Sequence, residues 1–275
     1  MDYNLKFIKI SPEHQFAGVG FAGNIFITLN ALTHININDR MRVDMETNEC
    51  VCTEKNVNLH NTNNCWEYYF DQTGKPDMHN PTEMNSLLSA NINYEDRNMF
   101  MYPENFVELK NKFYKSFKIK NHITTILDDF YNEKIKNKIT LGVQIRLTDM
   151  KHYHNVSSVD LYISKINQIL IDTPDIEQIF LATDDGTIIN KVKDNVGVPV
   201  IYYTGMFRSD ENNSHIHPYD RFIPVRDNHR YLLGIECMQE IFTLSKCDFL
   251  LKADVSSVSI VAIILSENIK KVYKL

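Results

Sequence analysis

The segment 140–147, Thr-Leu-Gly-Val-Gln-Ile-Arg-Leu, limits the folds open to this chain more than any other. It is the near-continuous apolar run that a strand covered on both faces requires, and it breaks off at Arg146, Thr148 and Asp149. In open α/β sheets ligands lie just beyond the carboxyl ends of the strands, so Arg146 falls where a ligand would sit. Its guanidinium keeps its charge and offers a planar fork of donors matched to phosphate oxygens. The plainer reading of the same arginine is an ion pair with a structural acid.

Beyond this run, apolar segments at 178–183, 198–203, 248–252 and 271–273 alternate with helically spaced ones at 159–171, 187–194, 229–245 and 258–266. Strands and helices of these lengths predict a parallel sheet in a Rossmann-like unit. Three strand ends carry polar groups: Arg146 with Thr148 and Asp149, Asp184 with Asp185, and Ser256 with Ser257. Their convergence is the expected anatomy of a ligand crevice. Hydroxyls and amides at the start of a helix form an anion cradle opposite a guanidinium, and one of the serines can also serve as a plain N-cap. For Asp184 and Asp185 three roles stay open: a metal-binding acidic pair, recognition of ribose or base, or a cap on the next helix. A long insertion at 204–228, with His215 and His217, is expected to lie over an edge of the site.

The first half is less regular. A strand at 5–10 leads to a glycine-rich turn at 18–24 and a helix whose apolar face starts at Ile25; such a turn suits close approach of backbone to a ligand, and an ordinary tight turn explains it as well. An Asn-rich stretch, 39–64, reads as irregular. The aromatic knot at 65–70 suits either an acceptor platform or a core. Helical periodicity recurs at 103–118 and 122–137, and the charged run 132–138 suggests a boundary between a domain at 1–138 and a second at 139–275.

With 29 Lys and Arg against 35 Asp and Glu in 275 residues, the formal charge of -6 argues against nucleic acid as a partner. An anionic ligand must be held by local placement. No basic cluster followed by an apolar run opens the sequence and no run reaches membrane-spanning length, so the expectation is a soluble, cytoplasmic protein without a membrane span. The five cysteines show no CxxC spacing, which supports neither a disulfide framework nor a zinc ribbon.

Taken in order, four motifs resemble those of the fucosyltransferase superfamily that includes α1,6-, α1,2-, nodulation and protein O-fucosyltransferases. Gly142 to Asp149 resembles its first nucleotide-binding motif, Phe180 to Asp185 the second, and Cys247 to Leu251 followed by Ser256 to Ser259 the third, while Gly20 to Asn24 is similar to its amino-terminal Gly-Asn loop. The resemblance implies an α/β, GT-B-like architecture of two Rossmann-like domains facing across a cleft, the first on the acceptor side and the second holding the nucleotide sugar. It implies an inverting, metal-independent enzyme, without a cofactor, that moves fucose from GDP-fucose to a hydroxyl of a glycan or glycoconjugate. Arg146 would then bind the β-phosphate, Asp184 or Asp185 the nucleoside, and Ser256 and Ser257 the pyrophosphate region, with Thr148, Asp149, Gly23 and Asn24 completing the donor site. Where the α1,6 enzymes carry a second Arg, a Lys and a catalytic Glu, this chain has Leu147, Met150 and His154. His154, or His152 on the same stretch, becomes the candidate base, since imidazole titrates near neutral pH. No third ligand accompanies this His-x-His pair, so no metal site is expected. Two other classes fit the same residues: a metal-dependent glycosyltransferase that uses Asp184 and Asp185 with another sugar nucleotide, and a noncatalytic nucleotide- or sugar-binding protein.

Overall fold

The structure, a computed structural model, describes residues 5–9, 20–36, 38–45, 62, 64–72, 103–148, 157–209, 226–253 and 256–275. The chain forms two compact units, Met1–Thr124 with Arg226–Ile235, and Thr125–Val225 with Glu236–Leu275. Residues 125–138, assigned from sequence to the first domain, thus cluster with the second unit, and the short segment Arg226–Ile235 returns to the first.

In the first unit, β1 (Leu5–Lys9) pairs in parallel with β2 (Arg40–Asp44), and α1 (Phe21–Leu32) connects them. The stretch read as irregular therefore begins with a strand. Met41 and Val43 are buried while Arg40, Arg42 and Asp44 are only partly so, the period-two pattern of a strand with one covered face. Helix α1 starts at Phe21, capped by Gly20, four residues before the expected apolar face, and nearly all of it is buried. The 103–118 periodicity resolves into α2 (Pro103–Ser116) and a strand, β4 (Phe117–Ile119), antiparallel to β3 (Phe70–Gln72). Phe117 keeps its place in the apolar cluster in either conformation, so spacing alone could not reveal the change. Trp66, fully buried, stacks on Phe70 at 4.6 Å and meets Phe117 edge-on at 5.1 Å. The aromatic knot is core.

In the second unit, α3 (Asn121–Phe130), which begins at the end of the first, continues into a π-helical turn, Tyr131–Ile135. Then β5 (Thr140–Ile145), α4 (Val159–Asp172), β6 (Gln178–Thr183), α5 (Ile188–Asn195) and β7 (Val200–Ile201) follow. Helix α6 (His229–Leu244), which belongs to the second unit from Glu236 onward, β8 (Phe249–Leu251), α7 (Ser257–Leu265) and β9 (Lys271–Tyr273) complete the unit. The strands form one parallel sheet in the order β7-β6-β5-β8-β9. Every residue of β5 and β6 is buried, because helices cover both faces. Leu141, Val143, Ile145, Ile179 and Leu181 join Tyr162, Ile166 and Ile169 of α4 and Ile188, Ile189 and Val192 of α5 in one core. The opposite face of β5 meets α6 closely: a Cβ on Gly142 would stand 3.0 Å from the Leu244 side chain. Strand β7 is shorter than expected, since Tyr203 turns inward to stack on Phe130 at 3.8 Å and to share a hydrogen bond with Thr243.

Gly234 sets a tight limit on packing in the first unit. A Cβ there would lie 2.2 Å from the Tyr69 hydroxyl oxygen and 2.3 Å from its ring carbon, with Tyr69 fully buried and stacked on Tyr231 at 5.6 Å. Gly234→Ala is expected to displace that ring and destabilise the protein by about 1–3 kcal/mol, despite alanine's better helix propensity. Thermal unfolding checks it; an unchanged or raised Tm would contradict the packing.

Candidate functional site

The chain runs from β5 outward to β6 and β7, then returns to the other side of β5 as β8. The switch point lies between β5 and β8, and crevices at the carboxyl ends of such strands hold ligands. Arg146 follows β5 directly and Ser256 stands shortly after β8. Arg146 is the first residue in the run from Thr140 that is not fully buried, followed by buried Leu147 and partly exposed Thr148. The apolar strand thus delivers a cation to its rim.

Asp184, one residue past β6, fixes the loop beside it. One carboxylate oxygen accepts the Leu147 amide at 3.1 Å; the other accepts the Thr148 amide at 3.4 Å and the Thr148 hydroxyl. A carboxylate with several donors from one segment holds that segment's path, and these donors flank Arg146. Asp185 faces elsewhere. Buried, it accepts the Thr187 amide at 2.9 Å and the Thr187 hydroxyl at 2.5 Å, which leads the chain into α5. The two adjacent acids are therefore divided between two loops.

Ser256 is buried and caps α7, accepting the Val258 amide at 3.2 Å. Ser257 opens the helix and is partly exposed. Behind them Ser259, fully buried, donates to the Gln144 side-chain oxygen at 2.5 Å and accepts the Ala253 amide at 3.2 Å. The bond to Gln144 joins β5 to α7, and that to Ala253 ties the turn after β8 to the same hydroxyl. The polar Gln144 inside an apolar strand was the sequence signal for it.

Part of the 204–228 insertion is described, and it packs on the end of β6. Ser209 bridges to Asp185, its amide donating to the Asp184 carbonyl at 2.9 Å and its carbonyl accepting the Gly186 amide at 2.7 Å. A Cβ on Gly186 would come within 2.8 Å of that Ser209 carbonyl oxygen, so the contact needs glycine. Arg208 donates to the carbonyls of Thr183 and Tyr203, both at 3.0 Å.

Two acids on α6, one turn apart, reach the same region. Glu236 accepts the Phe207 amide and Glu240 the Thr183 amide, each at 3.1 Å. Part of Glu240 reaches solvent, but its carboxyl lies among protein, and loss of hydration pushes its pKa up to about 7. Arg208, the Thr183 amide and Arg146 oppose that rise, while Asp184 adds to it. Neither glutamate was singled out from sequence; their signal was an i, i+4 acidic pair on one face of a helix with few other charges.

The second unit thus brings together Arg146, Thr148, Asp184, Ser256 and Ser257 at strand ends of one sheet, with Asp185 turned toward α5. Gly23 and Asn24 lie in the first unit, in the opening turn of α1, where their amides donate to the Gly20 carbonyl at 2.8 and 3.2 Å. Asp149, His152, His154, His215 and His217 lie outside the described residues. Among the described residues no set of three His, Cys, Asp or Glu side chains is grouped to hold a metal ion, and no helix is long and apolar enough to cross a membrane.

No family model and no curated protein matches the chain. Among solved structures it is similar to NodZ α1,6-fucosyltransferase co-crystallised with GDP, with a TM-score of 0.50 at 11% identity over 97% of this chain and 93% of the other. NodZ α1,6-fucosyltransferase soaked with GDP-fucose gives 0.50 and 11%, over 96% and 93%. Fucosyltransferase NodZ from Bradyrhizobium gives 0.48 and 10%, over 97% and 94%. At such identity the likeness is one of fold, and it extends over nearly the whole of both chains: this protein has the α/β, GT-B-like fold of those fucosyltransferases.

Proposed function

We propose that the protein is an inverting glycosyltransferase that transfers fucose from GDP-fucose to a hydroxyl of a glycan or glycoconjugate, without a metal ion. The observation that carries this reading is Arg146 at the rim of the central strand, beside the switch point, with the Ser256-capped start of α7 on the neighbouring strand. The GDP and GDP-fucose bound to the similar NodZ structures support the choice of donor.

As the bond from fucose to phosphate breaks, negative charge grows on the departing diphosphate and positive charge on an oxocarbenium-like sugar. A guanidinium fixed by its strand stabilises the first without a divalent ion, and amides at the start of α7 add to the same field. Asp184 serves Arg146 by holding the loop that follows it, and the one lone pair that its three donors leave on the carboxylate would be available to a nucleoside. His154 or His152 would take the proton from the acceptor hydroxyl. Gly23 and Asn24, at the opening of α1, would contribute to binding the donor, and the first unit would bind the acceptor.

Arg146→Ala is expected to reduce turnover of GDP-fucose by at least about 100-fold while leaving thermal unfolding near that of the parent protein. Hydrolysis of GDP-fucose without acceptor provides the assay, and near-parental turnover would overturn the mechanism. Activity is expected to survive EDTA; its loss on chelation and return with a divalent ion would favour an Asp184–Asp185 metal mechanism. Asp184→Asn turns an amide NH2 toward donors that now meet a carboxylate oxygen. It is expected to cost about 1–3 kcal/mol of stability and to lower turnover together with it. Unchanged melting and turnover in that variant would remove Asp184 from its positioning role.

A further inference from the structure

We propose that Glu240 is a positioning residue for the donor's diphosphate, and that its carboxylate couples donor binding to the uptake of a proton. This rests on the reading of Arg146 as the ligand of the diphosphate.

Glu240 approaches the strand ends from α6, on the side away from α4 and α5. Its carboxylate accepts the amide of Thr183, whose own carbonyl accepts the Arg208 guanidinium. The last residue of β6 is thereby held at both of its backbone groups, and the next residue is Asp184, the holder of the loop after Arg146. Glu240 thus stands behind Asp184 in one chain of contacts that ends beside Arg146. The charged groups that face it, among the described residues, are Arg208 from the loop after β7, Asp184 from the end of β6 and Arg146 from the end of β5; Glu236 lies one turn earlier on its own helix.

Two guanidinium groups and two carboxylates therefore share one poorly hydrated corner. The diphosphate of a sugar nucleotide, a diester with no ionisation near neutral pH, brings two negative charges to Arg146 and takes up the cation that helps keep Glu240 ionised. Both effects raise the affinity of Glu240 for a proton. In the free protein that affinity is already high, with a pKa of about 7, because burial disfavours the charged form. Above that pH the free protein carries an ionised Glu240, and binding the donor moves a proton from solvent onto the carboxyl oxygen. Below it Glu240 is already neutral and binding proceeds without exchange. By linkage, affinity for the donor is greatest where Glu240 is neutral and declines as pH rises through and above about 7.

The test is calorimetric titration of the full chain with GDP-fucose across about pH 6 to about pH 8.5, repeated in buffers that differ in ionisation enthalpy, which reports the protons exchanged. The parent protein is expected to take up a substantial fraction of one proton just above neutral pH and almost none at the acid end. Glu240→Gln keeps an oxygen for the Thr183 amide but cannot ionise, so it is expected to bind with no linked uptake and with an affinity that does not decline with pH. A residue with only a packing role would change affinity equally at all pH values and leave the proton count alone. Binding by the parent protein without proton uptake overturns the proposal, whether or not the variant folds, and so does equal uptake in parent and variant. Absence of GDP-fucose binding at every pH instead overturns the donor assignment, a different failure from binding without linkage.

Discussion

Asp184 joins the end of β6 to the loop after β5, and the site depends on that junction more than on any group within the sheet. The central strands β5 and β6 are uncharged and fully buried, so their packing sets spacing and register but not the path of the chain once it leaves the ladder. That path is set by a few polar contacts at the rim. The carboxylate of Asp184 holds Leu147 and Thr148, Gln144 and Ser259 join β5 to α7, and Glu240 and Arg208 hold Thr183. Each of these contacts joins two elements that neighbour the switch point. Arg146 has two fixed flanks as a result, and a cation held in this way needs little reorganisation as charge develops on a leaving group.

The same corner shows how one fold reconciles a stable core with a charged rim. Burial of Glu240 costs stability once its carboxyl ionises: its pKa lies above the ordinary carboxylate value, so stability falls as pH rises from that value to about 7 and the cost persists above it. A neutral side chain would avoid that cost. A carboxylate accepts the Thr183 amide while balancing Arg146 and Arg208, and on the proposed reading that balance serves ligand binding as well as packing.

The parallel sheet was readable because its signal is strong and local. Runs such as 140–145 and 178–183 carry no charge for six residues and then meet polar groups abruptly, and a strand covered on both faces allows no other pattern. Strand β2 was missed because its alternation spans only five residues amid an Asn-rich context, and β4 because Phe117 satisfies helical and extended spacing alike. At the site, Arg146 and the serines stood out by residue type at strand ends. Glu240 and Arg208 did not, since one lies within a helix of mixed composition and the other within a long insertion, and only tertiary packing brings either to Thr183. For Asp184 and Asp185 the sequence left a cap beside the ligand roles, and which of the two acids turns toward the next helix is set by the backbone geometry of the turn.

The most direct measurement is a crystal structure of the protein with GDP. The expected result places the β-phosphate against the Arg146 guanidinium, facing the start of α7 at Ser256 and Ser257, with Asp184 still holding Leu147 and Thr148. A diphosphate bound away from Arg146, or held through a divalent ion on Asp184 and Asp185, would contradict the assignment of this strand end as the donor site.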